Sequence, residues 1–238
     1  MIKKRIIPIL FLMLPCFAFA QNLSLLDYRG EWGGHIGSTS YFGQLGSGVN
    51  NFRPNFGIFY RKNLLPNLTL SMNYEYIPLG ANDTLSNNYE TFQRGFEFFR
   101  TFHEISFGIE YFFYENHPYS FHKVNFNPYV GIGMGYILNV PKDENNFKTY
   151  FYPYVQVIDQ FIPIATIPIH VGLQYNYNQN LRFFGEIDYR FTSSDVIDHF
   201  GNEEVEKTLH GNFTPANNGN DRFVSFKLGV SKLIVYRY

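Results

Sequence analysis

The sequence of 238 residues contains a single cysteine, Cys16, and a single tryptophan, and its 19 Lys and Arg residues nearly balance its 20 Asp and Glu residues. With one cysteine, the chain can form no internal disulfide. A net charge near zero gives no long-range attraction to nucleic acid, so we expect no nucleic-acid partner. A spanning helix requires about 20 consecutive apolar residues, and no such run is present.

Residues 1–20 have the pattern of a secretory signal peptide. Basic residues at positions 3–5 precede an apolar run over 6–19, and small residues follow near its end. This arrangement predicts export and cleavage after the segment. Because Cys16 lies inside it, the mature chain, 21–238, is expected to carry no thiol group.

Aromatic residues are abundant, with 27 Phe and 19 Tyr, and they fall in segments that alternate apolar and polar positions. In the stretch NLTLSMNYEY, residues 67–76, every second side chain is apolar. Because successive side chains of a strand point to opposite faces, this stretch predicts a strand with one apolar and one polar face. Eight such strands are predicted, at about 29–42, 53–63, 67–77, 102–114, 125–139, 166–177, 180–192 and 222–237.

Two architectures produce this alternation: a soluble sandwich, with apolar side chains inside, and a membrane barrel, with apolar side chains outside. Glycines among the charged residues of the polar faces favour the barrel, because they weaken a solvent-facing strand but make room in a narrow lumen. The predicted connections also sort into long ones at one end and short ones at the other. The sequence therefore predicts an all-β fold: a closed antiparallel eight-stranded transmembrane barrel in the outer membrane, whose first and last strands pair.

The polar faces supply the lining of the predicted lumen. Their basic and acidic groups are nearly equal in number, so we expect them to pair with one another, since unpaired charges in such an interior are costly. Eight strands enclose a space that side chains can fill, and no ion conduction is expected. We interpret the lining as a structural plug, with a proton path or catalytic site as the alternative. The predicted interior network consists of Arg29, Glu31, His35, Arg61, Glu75, Glu104, Glu110, His170, Arg182, Glu186, Asp188, Arg190 and Lys227.

Candidate catalytic and metal-binding groups do not form recognisable patterns. His103 and Ser106 are three residues apart, so on a strand they face opposite sides and cannot form a base and nucleophile pair. The spacings of the paired loop histidines, 117 with 122 and 199 with 210, match no known ligand pattern. We predict no catalytic residue, no metal site and no cofactor.

Two aromatic segments, 92–102 and 147–168, fall largely in predicted loops. An exposed apolar patch usually indicates a partner. Alternatively, the flanking strands continue beyond the bilayer and absorb these residues as a hairpin. Both interpretations remain open at the level of the sequence.

Several segments also resemble a family of small outer-membrane barrels of Bacteroidota that includes PorG, a component of the type IX secretion system. The resemblance extends from about Asp27 to Tyr238. It is carried by EWGGHIGSTSYFGQL, NFRPNFGIFYRKNL, FHEISFGIEYFFYE, FNPYVGIGMGYILNVPK and IHVGLQYNYNQNLRFFGEIDYRFTSSDVIDHF. It implies a non-enzymatic accessory or anchoring subunit that contacts periplasmic ring proteins of the secretion system.

If the resemblance holds, the periplasmic rim of the barrel should make that contact. The rim comprises the turns at 64–67, 115–123 and 177–180, and the long middle turn is the main candidate. Its candidate contact residues are His117, Pro118, Tyr119, Phe121 and His122. Two alternative functions are a surface adhesion or ligand-binding barrel that uses loops 147–165 and 193–220, and, ranked last, a lipid-modifying enzyme.

Overall fold

The computed structural model describes residues 29–42, 52–83, 96–115, 125–139, 147–149, 163–178, 180–193 and 221–235. The predicted signal peptide lies outside these ranges. The described strands are β1 (Arg29–Phe42), β2 (Arg53–Leu65), β3 (Leu68–Asn82), β4 (Phe96–Phe112), β5 (Phe126–Asn139), β6 (Phe147–Thr149), β7 (Ile164–Asn176), β8 (Leu181–Thr192) and β9 (Arg222–Val235). Nowhere in the described ranges is there a helix long and apolar enough to cross a membrane.

Eight of these strands form a closed antiparallel ring in the order β1-β2-β3-β4-β5-β7-β8-β9. Closure is complete because β1 pairs with β9 along its whole length, from Arg29 opposite Val235 to Phe42 opposite Arg222. Each of the eight strands therefore has a hydrogen-bonded neighbour on both sides, which a hydrocarbon environment requires. The prediction of a closed eight-stranded antiparallel barrel is confirmed.

A short additional strand, β6, lies outside the ring and pairs with the first residues of β4. β3 and β4 both extend further than predicted and pair as far as Asn82 opposite Glu97. Much of the aromatic segment 92–102 is therefore strand, as the hairpin interpretation proposed. The segment 147–168 contributes β6 and the start of β7, and its residues 150–162 lie outside the described part of the chain.

The longer β3 and β4 change the predicted distribution of connections. At one end of the barrel they span 66–67, 113–125 and 177–180. At the other end they span 43–52, 83–95, 140–163 and 193–221. The end with long connections is still distinct, but 83–95 is no longer than the turn 113–125, so the asymmetry is weaker than the sequence indicated.

Along most of each ring strand, side chains alternate between the lumen and the outer surface. The outer surface is a band of large apolar side chains, among which Ile36 is 71% and Leu228 70% exposed. Exposed aromatic side chains lie towards both ends of this band, including Trp32, Tyr60, Tyr111 and Tyr177 near the short turns and Phe42, Tyr136 and Phe191 near the long connections. Such a surface suits hydrocarbon bounded by two interfaces, whereas water would leave it unstable.

Candidate functional site: an ion-paired lumen

The predicted interior residues converge inside the barrel. Of the thirteen, twelve have described side chains and all twelve point inward and are buried. For Arg29, which begins β1, only the backbone is described. The inward position follows from the alternation of each strand, so the same register that exposes Trp32 and Ile36 buries Glu31 and His35.

The first group within the lumen is centred on Arg190 of β8, which is 1% exposed. Its Nε lies 2.7 Å from Glu104 Oε2, and its Nη2 contacts Glu75 Oε2 and lies 3.0 Å from Asp188 Oδ2. The remaining nitrogen, Nη1, donates to Ser225 Oγ at 3.0 Å. Every nitrogen of this guanidinium therefore has a polar partner, and we call Arg190 with these partners the Arg190 centre.

Lys227 of β9 extends the Arg190 centre towards the rest of the lumen. Its Nζ lies 2.7 Å from Asp188 Oδ2, 3.0 Å from Glu75 Oε2 and 3.4 Å from Glu186 Oε1. The lysine and the arginine thus share two carboxylates. Because these groups lie in a low-dielectric interior, the shared pairing compensates for their loss of water.

Neutral donors complete the pairing of two of the carboxylates around Arg190. Asn55 Nδ2 donates to Glu75 Oε1 at 2.9 Å, and Thr166 Oγ1 donates to Glu104 Oε1 at 2.6 Å. Glu75 and Glu104 therefore each accept at both oxygens. A network satisfied in this way fixes the side chains in one arrangement.

The second group is centred on Arg61 of β2, and its surroundings are largely aromatic. The Arg61 Cζ lies 4.5 Å from the centroid of the Phe59 ring, 4.9 Å from that of Phe184 and 5.2 Å from that of Tyr129. Its Nε makes one short ion pair, at 2.8 Å, with Glu110 Oε2. We call Arg61, the three rings and Glu110 the Arg61 centre; a planar guanidinium both stacks and pairs in this geometry.

Two acidic side chains link the Arg61 centre to its surroundings. Glu31 lies 3.6 Å from Arg61 Nη1 and makes a shorter pair, 2.7 Å, with Arg182 Nη1. Glu186 lies 3.6 Å from Arg61 Nη2 and accepts from Tyr129 OH at 2.8 Å. Glu186 also contacts Lys227, which pairs with carboxylates of the Arg190 centre, so the two centres form one continuous network.

Apolar side chains fill the lumen on either side of this network. Towards the long connections they are Tyr41, Ile77, Leu79, Phe102, Ile137, Ile164 and Phe223. Towards the short turns the stacked rings of Phe112 and Tyr129, with centroids 4.9 Å apart, and the side chain of Leu233 lie inside the wall. The lumen is therefore packed along its length, as eight strands allow.

The interior network predicted from the sequence does not include its uncharged members. Tyr129, Asn55, Thr166 and Ser225 are uncharged, so they did not stand out among the charged residues of the polar faces. Strand parity was the available signal, since Tyr129 shares a face with Gly131. Uncharged polar side chains on a lumen face deserve the same weight as charged ones.

Among the described residues, the other sequence candidates do not assemble into a site. His103 lies on the outer face, where its Nδ1 is 2.7 Å from Tyr74 OH, whereas Ser106 is buried in the lumen. The loop histidines 199 and 210 and the candidate contact residues of the turn 115–123 lie outside the described residues. Those contact residues are His117, Pro118, Tyr119, Phe121 and His122. Within the described ranges, no three His, Cys, Asp or Glu side chains are grouped as a metal site would require.

The polarity of the barrel defines the class of the protein. A closed ring with an apolar outer band, aromatic side chains at both ends and an ion-paired interior is an integral β-barrel of the outer-membrane type. Within that class, the chain belongs to the family described as "Domain of unknown function (DUF6089)", whose model matches residues 4–231.

Three solved outer-membrane proteins are similar to this chain in structure but distant in sequence. The N-terminal barrel domain of Pseudomonas aeruginosa OprF is 12% identical, with 87% of this chain and 98% of that chain covered and a TM-score of 0.46. The Yersinia pestis attachment invasion locus protein Ail is 10% identical, with 88% and 100% covered and a TM-score of 0.47. Neisserial surface protein A is 11% identical, with 87% and 96% covered and a TM-score of 0.43. No curated protein sequence matches the chain.

Proposed function

We propose that the protein is a non-enzymatic outer-membrane barrel that serves as an accessory or anchoring component of the type IX secretion system. Periplasmic ring proteins of that system are its proposed partners. The proposal draws on the sequence resemblance to the PorG-containing family. In this role the barrel holds a fixed position in the membrane and presents its periplasmic rim to the ring.

The packed lumen is the observation that carries the proposal. In the described part of the lumen, Arg190, Lys227 and Arg61 are joined through shared carboxylates, and buried apolar side chains lie on either side of this network. A barrel of this kind is suited to rigid anchoring, and its functional surfaces are its two rims. We therefore expect planar-bilayer recordings of the purified barrel to show no current steps of open-pore size.

The described turns of the proposed periplasmic rim are held by side-chain hydrogen bonds. The Asn127 side chain bonds both the backbone N and the backbone O of Tyr114, at 3.1 and 3.0 Å, so it extends the pairing of β4 with β5 beyond the strand end. At the next turn, Asn178 Oδ1 accepts from the backbone N of Asn180 and of Leu181. Rigid strand ends of this kind would present the turn 115–123 to a partner from a fixed base.

The test is a comparison of cells that lack the protein with cells that carry the wild type or a variant in which residues 116–123 are replaced by a short turn. Loss of the protein should cause secretion substrates to accumulate in the periplasm. The wild type should restore export, and the turn variant should insert normally but fail to restore it. A matched control shortens the connection 194–219 at the opposite end, and it should restore export fully.

Normal export in cells that lack the protein would reject the secretion role. Full restoration by the turn variant would reject the turn as the contact. Co-purification with secretion-system ring proteins, lost in the turn variant and kept in the control, would identify the partner.

A surface-binding function is the second candidate, and the extension formed by β3, β4 and β6 favours it. These strands continue the barrel wall at the end with the long connections, where Asn82 still pairs with Glu97 and Phe98 with Phe147. This extension of the barrel wall can support loops that bind a ligand outside the cell. Replacing the connections 140–163 and 193–221 with short turns should then abolish cell or matrix binding while export continues.

A further inference from the structure

His170 of β7 is a buried imidazole with an incomplete set of partners. It is 6% exposed, and its Nε2 lies 3.6 Å from Glu110 Oε1, too far for a direct hydrogen bond. Within the described residues this nitrogen has no hydrogen-bond partner. The opposite position on β5 is Gly131, and a Cβ there would overlap the imidazole ring. The fold therefore makes specific room for the ring next to the carboxylate.

The charged groups that face His170 are predominantly acidic. Glu110 lies on β4. Asp188 lies on β8, directly opposite His170 in the register, and Glu186 is also on β8. From β5 the uncharged Tyr129 ring meets it edge-on, with centroids 6.1 Å apart. Arg61 of β2 already pairs with Glu110. The imidazole thus stands among three carboxylates.

A carboxylate is the charged group that approaches the unpartnered nitrogen of the ring. Glu110 Oε1 is 3.6 Å from Nε2, and Asp188 is directly opposite His170 in the register of β7 and β8. Buried negative charge is unfavourable in a low-dielectric interior unless it is paired. A protonated imidazole would provide such pairing without any movement of the backbone.

A small polar cavity adjoins the ring. It is lined by His170, Ser71 and the carboxylates of Glu110, Glu186 and Asp188, and also by Arg190 and Lys227, which both pair with Asp188. Its volume is about 10 Å³. That is close to the room that one water needs. Ser71 Oγ and Asp188 Oδ1 have no hydrogen-bond partner among the described residues, so the cavity can provide polar solvation for a charged ring.

The second lumen histidine, His35, lies near a glutamate that already has several partners. Its Nε2 also lies 3.6 Å from a glutamate oxygen, that of Glu75. Glu75, however, already contacts Arg190, Lys227 and Asn55. Glu110 has one close cation, so the demand for a further positive charge is at His170.

From this geometry we propose that His170 is a proton-binding site inside the packed lumen. The ligand is a proton, and the resulting imidazolium pairs with Glu110 and lies beside Asp188. Protonation of His170 therefore adds a cation to the ionic network of the lumen. It is independent of the proposed role in secretion.

The test is nitrogen NMR of the folded barrel in lipid nanodiscs with ¹⁵N-labelled histidine rings. At about pH 7.5, where an exposed imidazole is mostly neutral, both ring nitrogens of His170 should give the signals of protonated nitrogen. A ring with one protonated and one unprotonated nitrogen would overturn the proposal. The signals are assigned by their loss in H170Q or H170N.

A second measurement tests the partner. In E110Q the His170 ring should become neutral at the same pH, while the signals of His103 on the outer face stay unchanged. Protonation of His170 that persists in E110Q would reject Glu110 as its counter-ion. If E110Q fails to insert, the wild-type spectrum still decides whether the ring is charged.

Discussion

The two arginine centres of the lumen stabilise a buried guanidinium in different ways. Arg190 is surrounded by carboxylates and a hydroxyl, whereas Arg61 has one short ion pair and three aromatic rings. Removing Arg190 takes a cation from three carboxylates, whereas removing Arg61 takes the close cation of Glu110 and leaves a space bounded by three aromatic rings. The first centre should therefore depend on charge and the second largely on shape.

Arg190→Met should have the largest effect on stability. The substitution leaves Glu104 without a cation and takes one from Glu75 and Asp188, and an uncompensated buried charge costs about 3–5 kcal/mol. The free energy of unfolding can be measured by urea titration in lipid vesicles, followed by the fluorescence of Trp32, the single tryptophan.

The matched control is Arg222→Met, which removes an exposed guanidinium whose Cζ lies 5.7 Å from the Phe191 ring centroid. It should change the free energy of unfolding by about 0.5 kcal/mol. Equal losses in the two variants would show that burial and pairing at Arg190 contribute nothing.

Arg61→Met should be less harmful, at roughly 2–3 kcal/mol. Glu110 loses its close cation, but a flexible thioether can occupy the space between the three aromatic rings, and Glu31 keeps its short pair with Arg182. The same urea titration measures the difference. A loss equal to that of Arg190→Met would remove the distinction between a charge-dependent and a shape-dependent centre.

Lys227→Met should cost about 2 kcal/mol, because each of its carboxylates keeps another cation. Asp188 and Glu75 remain in contact with Arg190, and Glu186 lies 3.6 Å from Arg61. If this variant loses as much free energy of unfolding as Arg190→Met, the lysine contributes as much to the Arg190 centre as the arginine does, and the prediction is wrong.

The strands and their facing could be predicted from the sequence because a period of two separates a polar from an apolar face, and the glycines and connection lengths indicated that the polar face is the inner one. The pairing within the lumen could not. Arg190 meets Glu75 and Arg182 meets Glu31 across the barrel, between strands far apart in the chain. Such contacts depend on ring order, strand stagger and side-chain reach, which the alternation of a single strand does not encode. β6 was missed because three residues are too few to show a period.

The smallest effects should come from the hydroxyl groups that support each centre, and they offer a matched pair. Tyr129→Phe removes the 2.8 Å donor to Glu186, whose contacts with Lys227 and Arg61 are longer, at 3.4 and 3.6 Å. Thr166→Val removes the 2.6 Å donor to Glu104, which keeps its 2.7 Å pair with the Arg190 guanidinium.

Hydrogen bonds to charged groups contribute about 1.5–3 kcal/mol. Both variants should fall near the bottom of that range, and Tyr129→Phe should be the more costly of the two. Glu186 is left with contacts of 3.4 and 3.6 Å, whereas Glu104 keeps its 2.7 Å ion pair with Arg190. Both variants keep the shape of the side chain, so cavity formation contributes little to the difference. A larger loss for Thr166→Val would mean that the carboxylates of the Arg190 centre depend on their neutral donors more than on the guanidinium.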